Sequence, residues 1–177
     1  FFAPPGGEPA PGVIVLHGFG SSQQVMSGFA LAFARAGYAV LTLDFGGHGR
    51  NTAPLDRDAG TLQMDIDRAY ETLTLQPEVD PNRIAILGHS MGSGAAMRAA
   101  VAAPDRFAAT IAVSPTDARV TSSLPRNLLL MAGTWEERFL SNAQELLQEA
   151  GGVNTRSGAF ASGTARSLLA IERVEHI

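Results

Sequence analysis

Short apolar runs of strand length alternate along the chain with longer segments whose apolar residues recur at helical spacing. This alternation predicts a βαβ succession, an α/β fold with a mostly parallel sheet flanked by helices on both faces. Residues 13–16 (Val-Ile-Val-Leu) form the first buried strand, and a turn follows at His17-Gly18-Phe19-Gly20. Residues 22–36 suit a helix with Phe29, Phe33 and neighbouring Ala and Leu residues on its buried side, ended by Gly37. Residues 38–43 make the next strand and deliver Asp44 and the loop Phe45-Gly46-Gly47-His48-Gly49-Arg50-Asn51. Residues 61–75 are amphipathic: Leu62, Ile66, Ala69 and Leu73 share one face, while Asp65, Asp67, Arg68 and Glu71 can face water.

Asp80-Pro81-Asn82 predicts a turn ahead of a short strand at residues 83–87. A tight turn at Gly88-His89-Ser90-Met91-Gly92 leads into a small-residue helix at 91–103. Residues 107–113 and 128–131 read as two further buried strands, and residues 139–150 as a helix stopped by Gly151-Gly152. A Gly-, Ser- and Thr-rich loop at 153–166 and a last strand at 167–174 complete the pattern. Neither an internal repeat nor an interdomain linker interrupts it, so one domain is expected over residues 1–177.

Composition narrows the classes. At 177 residues, 45% hydrophobic and 17% charged, the chain reads as globular rather than disordered. A net charge of −4 without a dense Lys/Arg run argues against a nucleic-acid partner. The absence of cysteine removes disulfides, thiolate metal sites and a cysteine nucleophile together, and leaves the compartment open. No apolar run approaches the roughly 18 residues that span a bilayer. The longest small-residue stretch, 95–103, is interrupted by Arg98. Phe1-Phe2-Ala3-Pro4-Pro5 carries no initiator Met and no intact leader, and the chain stops at Glu175-His176-Ile177, so we expect a piece of something longer.

The chemistry centres on Ser90. A buried strand that runs into Gly-x-Ser-x-Gly and then a helix lifts a serine hydroxyl clear of a sheet, and the flanking glycines allow the backbones to approach. The pentapeptide alone is weak evidence, arising by chance in roughly one chain in ten of this length. Its strand-before, helix-after setting is what makes it informative. The helix start aims backbone N–H groups at a developing oxyanion, with the amide of Met91 as one donor. The turn after the first strand is where a second donor is needed, and the amide of Phe19 is the candidate. His17 is expected to be structural, hydrogen-bonded within its turn.

His17-Gly18-Phe19-Gly20, Asp44-Phe45-Gly46-Gly47-His48-Gly49 and Gly88-His89-Ser90-Met91-Gly92 together resemble α/β-hydrolase-fold serine hydrolases, in the same order and at similar spacing. The resemblance covers nearly the whole chain and is strongest over residues 12–115. It implies esterase-like or peptidase-like activity through an acyl-enzyme, without metal or cofactor. Members usually have strands before the first one here and a helix after the catalytic histidine, and both are expected to be missing or cut short in this chain. The family order Ser, acid, His leaves His176 as general base, since His17, His48 and His89 precede Ser90 and occupy motif positions. Members commonly carry the acid shortly after the penultimate strand as Gly-x-x-Asp; here Gly133-Thr134-Trp135-Glu136 offers Glu136, with Glu137 adjacent and Asp117 after the preceding strand as the other options. The ordinary reading of Glu136 and Glu137 is a solvated helix start favoured by the helix dipole. At the position of Asp44 the family usually organises backbone, and Trp135 could equally line the pocket or pack in the core.

Many relatives insert a lid where this chain has only residues 114–127, too few for a helical cap, so an open, lidless cleft for small or exposed acyl groups is expected. The leading expectation is thus a serine hydrolase of small-molecule carboxylic esters or amides, with Ser90, His176 and Glu136 catalytic and Phe19 and Met91 forming the oxyanion hole. A perhydrolase or acyltransferase using the same triad is the enzymatic alternative. A non-catalytic or inactive fragment of the fold is the alternative from another class. Oligomeric state stays open, with edge pairing at the first strand conceivable.

Overall fold

A computed structural model describes residues 1–4, 8–55, 59–116, 123–149 and 166–171. They build a six-stranded sheet with every neighbouring pair parallel, in the order β2-β1-β3-β4-β5-β6. The elements in chain order are β1 (Ala10–Leu16), α1 (Ser27–Arg35), β2 (Ala39–Thr42), α2 (Ala59–Thr74), β3 (Val79–His89), α3 (Met91–Ala102), β4 (Ala109–Val113), β5 (Leu128–Gly133), α4 (Glu137–Glu149) and β6 (Arg166–Ile171). The expected loop at 153–166 lies outside the described residues except for Arg166, which opens β6, and so does the end of the expected last strand beyond Ile171.

The central position of β1 and β3 follows from their side chains. Val13, Ile14, Val15 and Leu16 are all fully buried, as are Ile84 and Ile86, so these strands have no solvent face and must be covered on both sides. Alternate residues serve different cores. Ile14, Leu16, Ile84 and Ile86 pack with Leu62, Ile66, Ala69 and Leu73 of α2 and with Ala95, Ala96 and Ala99 of α3. Val13 and Val15 face the other way, onto Met26 and Ala30, with Phe29 and Phe33 of α1 against them. Beyond β3, Met97 of α3, Ala112, Leu128 and Leu130 meet Ala143 and Leu146 of α4. The small residues of α3 allow that helix to lie close on the sheet.

Four local expectations change. The Asp80-Pro81-Asn82 turn forms inside β3 rather than before it. Its register against β1 jumps between Pro11↔Asp80 and Gly12↔Ile84, and the looped-out residues are held by Asn82 N–H donating to Asp80 Oδ1 (3.0 Å) and Arg83 Nε to Asp80 Oδ2 (2.6 Å). The helix expected from residue 22 begins at Ser27, because residues 22–27 are drawn into successive i+3 turns while Gln23 is bound to the end of β2. Within α1, Leu31 is exposed, and Ala30 rather than a leucine is its fully buried residue. Asp65, on the expected solvent face of α2, instead turns inward to accept the Gly46 N–H at 3.1 Å.

Two glycines show how closely the pieces approach. A Cβ on Gly88 would stand 2.0 Å from the Gly92 carbonyl oxygen, whereas one on Gly28 in α1 would meet nothing within 4 Å. Gly88→Ala is therefore expected to destabilise by more than about 3 kcal/mol, since backbone must move. Gly28→Ala should be neutral or stabilise by up to about 1 kcal/mol. Urea unfolding of the two variants measures both.

Candidate active site

The site is assembled where β3 ends. Ser90 has φ +52° and ψ −116°, a left-handed conformation for a non-glycine residue, and α3 starts at the next residue. Such a backbone costs on the order of 1–3 kcal/mol and persists only where its surroundings enforce it. Here the enforcement is visible. Ser90 N–H donates to the Val113 carbonyl of β4 at 2.9 Å, and the Ser90 carbonyl accepts from Ser93 N–H (2.9 Å) and Ser93 Oγ (2.6 Å) in the first turn of α3. Gly92 admits the neighbouring strand: a Cβ there would come within 2.6 Å of the His17 carbonyl oxygen and 2.9 Å of Leu16.

The turn after β1 abuts this elbow. A Cβ on Gly18 would lie 3.0 Å from His89 Nδ1 and 3.2 Å from Ser90 Cβ, so the two loops meet in tight contact there. Phe19 follows, 59% exposed, its ring edge-on to His48. Phe19 and Met91 lie on the rim of one cavity of about 340 Å³. Met91 is the first residue of α3, where the helix supplies no acceptor for the amide. Leu55, and Leu62 from α2, extend the apolar wall, and Arg98 and Thr116 are its polar members.

Beneath the Phe19 turn lies a polar scaffold. His17 is fully buried; its Nε2 accepts the Phe45 N–H at 3.0 Å and its Nδ1 is 2.7 Å from the Gly18 carbonyl, which assigns a neutral ring protonated on Nδ1. His48 repeats the arrangement, accepting Gly20 N–H at Nε2 (3.2 Å) and donating from Nδ1 to Gly46 O (2.9 Å). Asp44 gathers three donors, the amides of Gln23 (2.7 Å) and Arg50 (3.0 Å) and the Gln23 side chain (3.0 Å). Burial would raise its carboxyl, but these hydrogen bonds outweigh it and hold the group below its ordinary value. His17 and Asp44 thus organise backbone, in agreement with the expectation from sequence.

On the other flank, Glu136 precedes α4 and turns back toward the sheet. One carboxylate oxygen accepts Ser114 Oγ at 2.8 Å and Gly133 N–H at 3.0 Å. Ser114 is buried, has φ +48°, and donates its own N–H to Met131 O at 2.7 Å. Sequence reasoning missed Ser114, because nothing in Val113-Ser114-Pro115 marks a second strained serine. Glu137, one residue on, is exposed in the first turn of α4. Trp135 neither lines the cavity nor packs in the core: it is 52% exposed with its ring over Gly133. His89 sits between the two flanks; burial pushes its imidazole below the ordinary value, and the Glu136 charge pulls the other way. His176 and Asp117 lie outside the described residues. No group of three or more His, Asp or Glu side chains among the described residues is arranged to hold a metal ion, and no described helix is long and apolar enough to cross a membrane.

A parallel sheet of this order, with a strained serine between β3 and α3 and a glycine turn after β1 against it, defines an α/β-hydrolase fold. The structure matches dienelactone hydrolase from Anabaena variabilis with a TM-score of 0.72 and 23% identity, covering 96% of this chain and 76% of that one. It also matches a thioesterase domain from the curacin biosynthetic pathway with a TM-score of 0.53 and 28% identity, covering 63% and 40% of the two chains. A family model described as serine aminopeptidase, S33, matches residues 7–162, and the chain belongs to that family. Among curated relatives, an epoxide hydrolase of Caballeronia sordidicola is 30% identical over 104 residues, 59% of this chain and 31% of the relative. The chain spans about a third of the length of the first such relatives.

Two of these histidines set a pH dependence. Burial lowers both His17 and His89 from the ordinary 6.5, while opposing contributions (for His17 the Gly18 carbonyl and Asp44, for His89 Glu136) do not cancel it. The folded state therefore binds fewer protons than the unfolded state below pH 6.5. Stability is fully present above the unfolded value and is lost as pH falls through the lowered folded values. Protonating His17 Nε2 would also set it against the Phe45 N–H. The urea midpoint is expected to fall between pH 7.5 and pH 5.5, with a shallower fall in His89→Gln. A flat profile in the unsubstituted protein would contradict this account.

Proposed function

We propose that this chain carries the nucleophile and oxyanion hole of a serine hydrolase acting on carboxylic esters of small molecules. The observation that carries the reading is the enforced φ of +52° at Ser90 on a strand-to-helix turn. A fold holds a serine in that conformation against its cost when the position of its hydroxyl matters. The Ser90 Oγ attacks the carbonyl carbon, and its proton passes to the imidazole of His176. The negative oxygen of the tetrahedral intermediate is held by the Phe19 and Met91 amides. Collapse expels the alcohol, which takes the proton from the imidazolium, and leaves an acyl-Ser90 ester. Water then attacks, giving the carboxylic acid and free Ser90.

Glu136 is the acid in this reading. Its support is the inward-turned carboxylate, fixed by Ser114 and Gly133 at the end of β5, whereas Glu137 is exposed to solvent. One carboxylate oxygen is engaged by the sheet, and the other is available to an imidazole. The serine at the elbow favours acyl chemistry over the bond named for the Caballeronia relative, and the name of the curacin domain, a thioesterase, points the same way. A perhydrolase or acyltransferase would share every one of these residues and differ only in the acceptor, so product analysis with competing peroxide and alcohol separates them.

A fluorophosphonate probe is expected to label the protein and to lose all labelling in Ser90→Ala. With a p-nitrophenyl ester, Glu136→Gln should lower kcat/KM by roughly 10²- to 10⁴-fold, less than Ser90→Ala does, because the acid orients the imidazole and stabilises its cation rather than reacting. Glu137→Gln should stay within about twofold. Loss in Glu137→Gln but not in Glu136→Gln would reassign the acid, and an unlabelled, well-folded protein would refute the hydrolase reading.

A further inference from the structure

Met91, Gly94 and Arg98 lie at i, i+3 and i+7 on α3, one face of the helix, and all three line the cavity beside the elbow. The rest of that helix is small and apolar, with Ala95, Ala96, Met97, Ala99 and Ala100 buried. Among the described residues of this wall Arg98 alone brings charge, and it is half-buried. Arg68, Arg83, Arg106 and Arg126 each pair with an aspartate. Arg98 has no ion pair or hydrogen bond among the described residues. Burial works against its charged form. Arg98 is thus a half-buried cationic lining residue with no protein counter-ion among the described residues, for which an anionic group in the cavity would serve as partner.

We propose that this cavity takes an acyl group ending in a carboxylate, with Arg98 binding the carboxylate while the Phe19 and Met91 end holds the scissile carbonyl. This rests on the serine-hydrolase reading above and adds its substrate class: the monoester of a short dicarboxylic acid. Two dimensions fix the length. Seven residues of helix separate Met91 from Arg98, roughly 10 Å along the axis, and helical side chains lean back toward the N-terminus, which shortens the gap to the oxyanion donors. A cavity of about 340 Å³ is at the small end for a ligand site. Both favour an acyl chain of a few carbons over a long one. Thr116 is the second polar side chain on the wall. Guanidinium suits this role because its planar donors match a carboxylate in pairs.

The test compares p-nitrophenyl hydrogen glutarate with p-nitrophenyl pentanoate, its neutral counterpart of equal acyl length. The unsubstituted protein is expected to favour the hemiester in kcat/KM by about 10- to 100-fold, the worth of one charge-assisted contact. That ratio should collapse toward one in Arg98→Gln and recover in part in Arg98→Lys, with circular dichroism and urea midpoints verifying that each variant folds. Turnover of both esters without a preference, or a preference that survives Arg98→Gln, overturns the proposal. If neither ester is turned over, the hydrolase reading fails, and the site is judged by binding alone. Calorimetric titration of 5-oxohexanoate, a non-hydrolysable ketone acid, into Ser90→Ala with and without Arg98→Gln then decides: binding that depends on Arg98 upholds the anion site, and binding that is absent or indifferent to Arg98 overturns it.

Discussion

At Ser90 the chain leaves the buried end of β3 and enters a helix within a single residue, and its backbone reaches φ +52° to do so. Nothing local favours that conformation, so the cost is met by the parts of the fold that would have to separate to release it. The Ser90 N–H is tied to β4, its carbonyl to the first turn of α3, and the glycines on either side bring backbone against backbone. The position of β3 between β1 and β4, and the close seat of α3 on its small residues, act as the support for one turn. A parallel sheet is well suited to this, because the carboxyl ends of its strands all emerge on one side.

The same edge of the sheet organises the groups around the serine. Val113 O holds Ser90, Met131 O holds Ser114, the residue that follows β4, and Ser114 Oγ with Gly133 N–H holds Glu136. Hydrogen bonds thus run strand end to strand end from β3 across β4 to β5. On the opposite side, two neutral histidines and a carboxylate below its ordinary value lock the turn that carries Phe19. Both flanks are built of satisfied polar groups; among the described residues no buried side-chain nitrogen or oxygen lacks a partner. Rigidity on both sides is what an oxyanion hole requires, since its donors act only if they are already in place.

Much of this was legible in the sequence because it is written in local terms. Alternating runs predict the parallel sheet, the pentapeptide between strand and helix predicts the elbow, and the glycine turn after β1 predicts the partner loop. The differences arise where a distant residue intervenes. Gln23 is claimed by Asp44, so α1 starts late; Asp65 is claimed by Gly46, so it leaves the solvent face; the Asp80 turn is absorbed into β3 because Arg83 and Asn82 satisfy Asp80 within the strand. Ser114 carries no local signal, and Arg98 shows only as a break in a small-residue run. One matters through a contact 22 positions away, the other through the absence of one. His176 and Asp117 lie outside the described residues, so the structure does not bear on the base expected at His176.

Ser90 also divides its surroundings by chemistry. In the sheet order, Phe19 follows β1 on one side of β3, while Glu136 follows β5, two strands away on the other. The cavity draws most of its walls from the first side, from Phe19, Leu55 and Leu62, with α3 contributing Met91, Gly94 and Arg98 and Thr116 joining from beyond β4. Proton handling on the β5 side would demand a buried negative charge, and recognition of an acyl carboxylate on the α2 side would demand a positive one. Placed together these two charges would neutralise each other, and neither would act on a substrate. Glu136 instead is fixed by Ser114 and Gly133, and Arg98 has no ion pair among the described residues. The carboxylate is held in hydrogen bonds at the end of β5, and the guanidinium belongs to a residue of α3 that lines the cavity.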